Sequence, residues 1–297
     1  MAKEAPPARP FLKWAGGKTQ ILDRLLAILP KGQIRTFYEP FVGGGALFFT
    51  LADRGRFERA VLNDFNGELM DCYRAIRDFP EDIINRLGQR PVNKKTFLEL
   101  RAQMPKDLDP ATRAARTIYL NKTGFNGLFR VNKKGEFNVP WGKCKSTKRV
   151  LDAANLRRCS EVLNRFVSLL SVDFANAVQG AGDGDVVYFD SPYIPLNATS
   201  NFTSYTSDGF TLDDQYRLAA YFKELVKAGV YVLASNSDTE ITRKLYEGFE
   251  MHQIQARRCI NSKGDKRGKV RELLIVGRRG ELIEIGQESA SDPQQSE

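Results

Sequence analysis

The chain has 297 residues, 42% of them hydrophobic, enough for one large domain or a core carrying an insert, and disorder is not the default. Lys and Arg number 45 against 36 Asp and Glu, and the net charge of +9 favours polyanionic partners. A single histidine, His252, counts against Ser-His-Asp hydrolysis, Cys-His chemistry and His-rich metal sites.

The four cysteines, Cys72, Cys144, Cys159 and Cys259, show no C-x-x-C spacing and no secretory leader precedes them, so a reducing cytoplasm is expected. No long apolar run predicts a membrane span.

Residues 1–10 are rich in Pro and Ala and are expected to be mobile; the polar stretch 281–297 is expected to be a disordered tail. Phe11-Leu-Lys-Trp-Ala-Gly-Gly-Lys18 sets an aromatic, two glycines and two cations ahead of a helix predicted over Gln20–Leu29. Gly17-Lys18-Thr19 copies the end of a phosphate loop, but Leu12 stands where that loop needs its first glycine, which disfavours an NTPase. Lys18 could instead pair with the carboxylate of a cofactor, and Trp14 could face a sulfonium or an adenine.

A strand over Thr36–Phe41 leads through Gly43-Gly-Gly45 into a helix over Ala46–Arg54, the layout that brings a nucleotide-like ligand to a helix N-terminus. Phe48 replaces the third glycine of a dinucleotide fingerprint, so a pyrophosphate site is disfavoured. The strand Arg59–Asn63 ends at Asp64, placed for ribose hydroxyls or an amino group; a surface Asp after a tight turn is the plainer alternative.

Further strands are predicted over Val167–Ser171, Val186–Asp190, Val230–Ser235, His252–Ala256 and Leu273–Gly277, with helices over Leu212–Ala228 and Thr239–Tyr246. The alternation predicts an α/β fold with a doubly wound, mostly parallel sheet. It fails between residues 66 and 158, where helical stretches lead to a predicted hairpin (Phe129–Val131, turn Asn132–Gly135, Phe137–Val139). The expected organisation is therefore a catalytic domain from 11–65 and 159–280, with 66–158 inserted. Aromatics interleaved with cations in the hairpin suit nucleic acid if exposed, and a structural hairpin with solvated charges is the alternative.

Asp190-Ser-Pro-Tyr193 closes the run Val186–Phe189 with an acid, a bend and an aromatic. The carboxylate can accept from an amine, and Tyr193 offers a face for a planar ring. Ordinary strand punctuation would look the same.

Phe11–Lys18, Glu39-Pro-Phe-Val-Gly-Gly-Gly45, Leu62-Asn-Asp64, Leu120-Asn-Lys-Thr-Gly-Phe-Asn-Gly-Leu-Phe-Arg130, Gly135-Glu-Phe-Asn-Val-Pro140 and Asp190–Tyr193 together resemble Dam-type DNA adenine-N6 methyltransferases, in that family's alpha-group motif order. The resemblance implies a class I, Rossmann-like fold using S-adenosylmethionine, with S-adenosylhomocysteine as product and no metal. It implies a double-stranded DNA partner, no membrane, and a monomer.

Cofactor contacts carry over to Trp14, Lys18, Phe41, Gly43, Gly45, Asp64 and Asp190. DNA contacts carry over to Lys13, Phe125, Asn126, Leu128, Arg130 and Asn132, with GATC as the implied target. In that setting Arg130 would pair with guanine, Leu128 would pack on a thymine methyl and Phe125 would wedge beside an extruded adenine. Asp190 and the carbonyl of Ser191 would accept the two N6 hydrogens, Pro192 would set the bend, and Tyr193 would stack on the base. Two positions depart from the family pattern: Ser191 replaces a usual proline, and Phe125 a common tyrosine. Methylation of RNA or protein, and a catalytically impaired DNA-binding homologue, stay open as alternatives.

Overall fold

The computed structural model describes residues 6–14, 16–144, 150–195, 209–257 and 269–280. The expected tail 281–297, the first five residues of the expected mobile start, and Cys259 lie outside them. Seven strands, β1 (Ile34–Glu39), β2 (Phe57–Asn63), β3 (Val167–Leu170), β4 (Val186–Phe189), β5 (Tyr231–Ser237), β6 (Glu250–Arg257) and β7 (Lys269–Gly277), form one sheet in the order β3-β2-β1-β4-β5-β7-β6. Neighbours are parallel except β7, which is antiparallel to β5 and β6. This is the doubly wound, mostly parallel sheet that the alternation predicted.

The strand order reverses between β1 and β4, and the C-terminal ends of strands at such a switch point are where open α/β sheets hold ligands. β1 stops at Glu39 instead of the expected Phe41, because Pro40 has no N–H to extend a ladder. β4 is buried throughout; Val186 and Tyr188 enter one apolar cluster, Val187 and Phe189 the other. A strand covered on both faces reads as an unbroken apolar run, which is why this one was visible in the sequence.

Helices α1 (Leu22–Ile28) and α2 (Ala46–Asp53) bury Leu25, Leu47, Phe48 and Phe49 in the first cluster. Between β2 and β3 follow α3 (Gly67–Asp78), α4 (Pro80–Gly88), α5 (Lys94–Ala102), α6 (Pro110–Thr123) and α7 (Ala153–Leu163). The insert is mainly helical, as expected. Its Ile83, Phe97 and Tyr119 share one continuous cluster with Phe37 of the sheet, so packing does not break at its boundary.

On the other side lie α8 (Phe174–Ala177), α9 (Leu212–Lys227) and α10 (Glu240–Leu245). α9 starts at a capping box: Thr211 Oγ1 accepts from the Asp214 N–H, and Asp214 accepts from the Thr211 N–H. It buries Leu218, Phe222 and Val226 in the second cluster. No helix among the described residues is long and apolar enough to cross a membrane.

Two expectations need correcting. Part of the start expected to be mobile is fastened to α7: Ala8 is buried, and Arg9 exchanges backbone hydrogen bonds with the Asn155 side chain (3.0 and 2.9 Å) and pairs with Asp152. The expected hairpin is present, with Val131 bridging Phe137, the Asn132 N–H donating to the Glu136 carbonyl and the Asn138 N–H to the Arg130 carbonyl (both 2.9 Å), around a turn closed by Gly135 N–H to Asn132 C=O; what differs is the placing of its aromatics. Its aromatics are not displayed to solvent. Phe137 is buried, and Phe129 packs against both Phe137 and Trp14.

Candidate active site

The glycine turn after β1 lies at this switch point. Gly43 (φ 47°) and Gly45 (φ 68°) take left-handed conformations that only glycine adopts cheaply, and Gly45 caps α2. A Cβ on Gly43 would stand 2.7 Å from Trp14 Cδ1, and one on Gly45 would stand 2.7 Å from the Tyr73 hydroxyl. Asp64, just past β2, accepts the Gly43 N–H (3.1 Å) through Oδ2 and the Asn66 N–H (3.0 Å) through Oδ1. The Tyr73 hydroxyl donates to the Gly43 carbonyl at 3.0 Å. Asn63 is buried and its amide donates to the carbonyls of Pro40 (2.9 Å) and Val172 (3.1 Å), tying the ends of β1, β2 and β3 into one rim.

Trp14, Phe41, Gly43, Gly45 and Asp64 are thus gathered around one turn. Phe41 packs on Phe174, Phe189 and Phe210. Two residues that sequence reasoning passed over join them. Glu39 ends β1 buried, with Oε2 lacking a partner among the described residues; burial first, and the nearby Asp190 charge second, push its carboxyl well above the ordinary range. Phe65, directly after Asp64, is 79% exposed. An aromatic following a strand-ending acid was the available signal for Phe65; Glu39 opens the motif Glu39–Gly45 but was given no role there.

At the end of β4, Asp190 Oδ1 receives two contacts: the Lys18 ammonium at 2.7 Å and the Ser235 hydroxyl at 2.8 Å. Ser235 also meets the Tyr188 hydroxyl (3.1 Å). Lys18, expected at a cofactor carboxylate, is therefore engaged with Asp190; it also donates to the Gly16 carbonyl (2.8 Å) and lies 4.7 Å from the centre of the Tyr193 ring. Burial alone would lower the Lys18 pKa, but Asp190 and Tyr193 outweigh it and the amine is held protonated.

The Tyr193 hydroxyl donates to Glu272 Oε2 on β7 (3.2 Å), which anchors the outer end of its ring. Gln215 of α9 donates to the Pro192 carbonyl (2.6 Å), and Asn236 accepts the Ile194 N–H (2.9 Å). Ser191 is buried and its hydroxyl has no partner among the described residues. Ser235, Glu272 and Gln215 carry no local motif, and only the folded sheet brings them to Asp190–Tyr193.

The segment expected to read DNA forms a 3-10 turn over Phe125–Gly127, with Asn126 at φ 55° and Phe125 49% exposed. Leu128 is half-buried in this turn's exit, while Arg130 is exposed and its guanidinium donates to the Asn138 side chain (2.6 Å) and carbonyl (3.2 Å). Lys13 is exposed beside them. Asn132, expected on DNA, spends its side chain on its own turn: Oδ1 accepts the N–H groups of Lys134 (2.9 Å) and Glu136 (3.0 Å), and Nδ2 donates to the Glu136 carboxylate (2.7 Å).

The arrangement offers a glycine turn walled by aromatics and acids, a carboxylate beside a fixed aromatic ring, and a cationic, aromatic turn nearby. The model of the D12 class N6 adenine-specific DNA methyltransferases matches residues 14–260. The type II methyltransferase M1.LlaDCHI of Lactococcus lactis subsp. cremoris is 45% identical over 276 residues, covering 90% of this chain and 95% of its own. The type II methyltransferase M.MjaIII of Methanocaldococcus jannaschii is 43% identical over 286 residues, covering 90% and 98%. The DNA adenine methylase of Escherichia coli strain K12 is 39% identical over 277 residues, covering 92% and 96%.

Proposed function

Because this chain belongs to the D12 class of N6 adenine-specific DNA methyltransferases, we propose that it methylates N6 of an adenine turned out of duplex DNA, with GATC as its target. The observation that carries this reading is the division of acceptors after β4. Asp190 Oδ1 is held by Lys18 and Ser235, and the Pro192 carbonyl by Gln215. Among the described residues, that leaves Asp190 Oδ2 and the Ser191 carbonyl to receive donors. An exocyclic amine brings two hydrogens, and two acceptors would aim its lone pair away from both of them.

The residues at the glycine turn fit S-adenosylmethionine. A buried carboxyl oxygen on Glu39, without a partner among the described residues, suits an ammonium, Asp64 suits ribose hydroxyls, and Phe65 and Phe41 offer faces for an adenine. Trp14, packed on Gly43, would close over the same ligand. When bound, that cofactor supplies an electrophilic methyl group on a sulfonium.

The protein's part is alignment. Tyr193, fixed by Glu272, stacks on the extruded base and offsets part of an unstacking cost of a few kcal/mol. Asp190 and Ser191 orient N6, and orientation of two bound partners supplies most of the rate. Asp190 Oδ2, already bonded to one N6 hydrogen, is placed to take the proton released after transfer. Arg130 is assigned to guanine, Leu128 to a thymine methyl and Phe125 to the gap left in the stack, with Asn126 beside it.

The test is tritiated methyl transfer to oligonucleotide duplexes with and without GATC. Counts confined to GATC duplexes, and lost in Asp190→Ala, are expected. Transfer to other adenines alone would remove GATC, and transfer to no duplex would remove the activity. Tight duplex binding without turnover would favour an impaired homologue.

A further inference from the structure

We propose that Asn121 is a positioning residue that makes Lys13 part of the DNA-reading surface, so that target discrimination depends on it; this rests on the DNA-methylating reading above. Asn121 lies in the last turn of α6 and is completely buried. Its Oδ1 accepts the Lys13 N–H at 2.8 Å, and its Nδ2 donates to the carbonyls of Lys13 (2.8 Å) and Gly127 (2.9 Å). A side-chain amide matches both main-chain polar groups of one residue, as a neighbouring strand would, and still has one hydrogen for a second segment. Neither a carboxylate nor an aliphatic side chain can do this.

A second observation, independent of those bonds, comes from the other side of Lys13. Gly127 has φ 66°, and a Cβ there would stand 2.7 Å from Lys13 Cδ and 2.8 Å from Lys13 Cβ. The Lys13 stem therefore lies across a glycine of the recognition turn, in space that any other residue would fill. The next residue, Trp14, stacks on Phe129 (5.4 Å) and abuts Gly43. Lys13 comes from the start of the chain, yet it is locked in register with the turn carrying Phe125, Asn126 and Leu128. A lysine has no shape of its own to fix a contact, being a flexible point charge. Its main chain must be fixed instead, and Asn121 fixes it.

A merely structural Asn121 would, on substitution, weaken every activity together. A positioning Asn121 acts through Lys13 and changes the ratio between targets. The experiment measures equilibrium binding of fluorescent GATC duplex, and of the same duplex with one base pair changed, to full-length protein saturated with S-adenosylhomocysteine. Asn121→Asp, Gly127→Ala, Lys13→Met and the Asn121→Asp/Lys13→Met double variant are compared.

Each single variant is expected to lower the binding ratio about tenfold, within the range for one lost base contact. The double variant should lose no more than the worse single, as expected when two changes remove the same interaction. Affinity for S-adenosylhomocysteine, read by calorimetry, should hold in all four.

An unchanged ratio in Asn121→Asp, equal weakening of both duplexes, or losses that multiply in the double variant would each overturn the proposal. Gly127→Ala displaces Lys13 from the opposite side, so it decides the matter if Asn121→Asp does not fold. If the unsubstituted protein binds both duplexes equally, GATC is the wrong target, and the ratio is read on the duplex it does methylate.

Discussion

Lys18 and Asp190 form an ion pair of 2.7 Å with side chains only 10% and 17% exposed. Removing one partner leaves the other charge buried and uncompensated, which costs about 3–5 kcal/mol in comparable sites. Lys18→Met and Asp190→Asn should each be destabilised by about that amount in urea unfolding. The double variant should recover most of the loss, because no lone charge remains, while methyl transfer stays absent in every variant lacking Asp190. A double variant as unstable as the two losses added together would show that the pair is not coupled.

Glu39 makes the folded protein sensitive to pH. Burial, reinforced by Asp190, raises its carboxyl well above the ordinary 4.5. Through the window from that ordinary value up to the raised one, the folded chain keeps a proton that the unfolded chain has released. Stability is therefore fully present below the window and falls as pH rises through it, by up to about 1.4 kcal/mol per pH unit. Glu39→Gln has no such proton to lose. Urea unfolding between about pH 5 and pH 8 should show the variant gaining on the unsubstituted protein as pH rises; a difference constant with pH would sink this account.

Much of the frame was legible because strands and amphipathic helices are written in neighbouring residues. Val186–Phe189 is buried on both faces and had to be apolar throughout; α9 had its stripe and its capping box. The hairpin was found but its aromatics were misplaced, because composition does not say which face an aromatic takes, and Phe129 and Phe137 turned inward to Trp14 and Phe97. The site's motifs could be found, but not their supports. Lys18 on Asp190, Glu272 on Tyr193 and Asn121 on Lys13 each join segments far apart in the chain, and no periodicity spans such distances.

Ser191 is buried with a hydroxyl that has no partner among the described residues, and such a group costs about 1–3 kcal/mol against an apolar replacement. Ser191→Ala should therefore raise the urea midpoint without loss of turnover. Ser191→Pro keeps the carbonyl assigned to N6 and restricts one φ angle, so its turnover should be unchanged or faster. A large drop in turnover for Ser191→Pro would mean that the Ser191 N–H or hydroxyl takes part in the reaction.

Gly43 and Gly44 are adjacent but should respond differently to a methyl group. Gly43 has φ 47° and no room beside Trp14, whereas a Cβ on Gly44 would make ordinary contacts, at 3.5 Å with Trp14 Cβ and 3.8 Å with the Leu12 carbonyl. Gly43→Ala must bear the left-handed penalty and push Trp14 away, which should weaken S-adenosylhomocysteine binding about tenfold or more. Gly44→Ala should bind within about threefold of the unsubstituted protein, since neither its backbone nor its neighbours must move. Calorimetric titration of both variants reads the difference directly. Equal losses would mean that the ligand itself touches Gly44, and that the Trp14 wall is not what limits the turn.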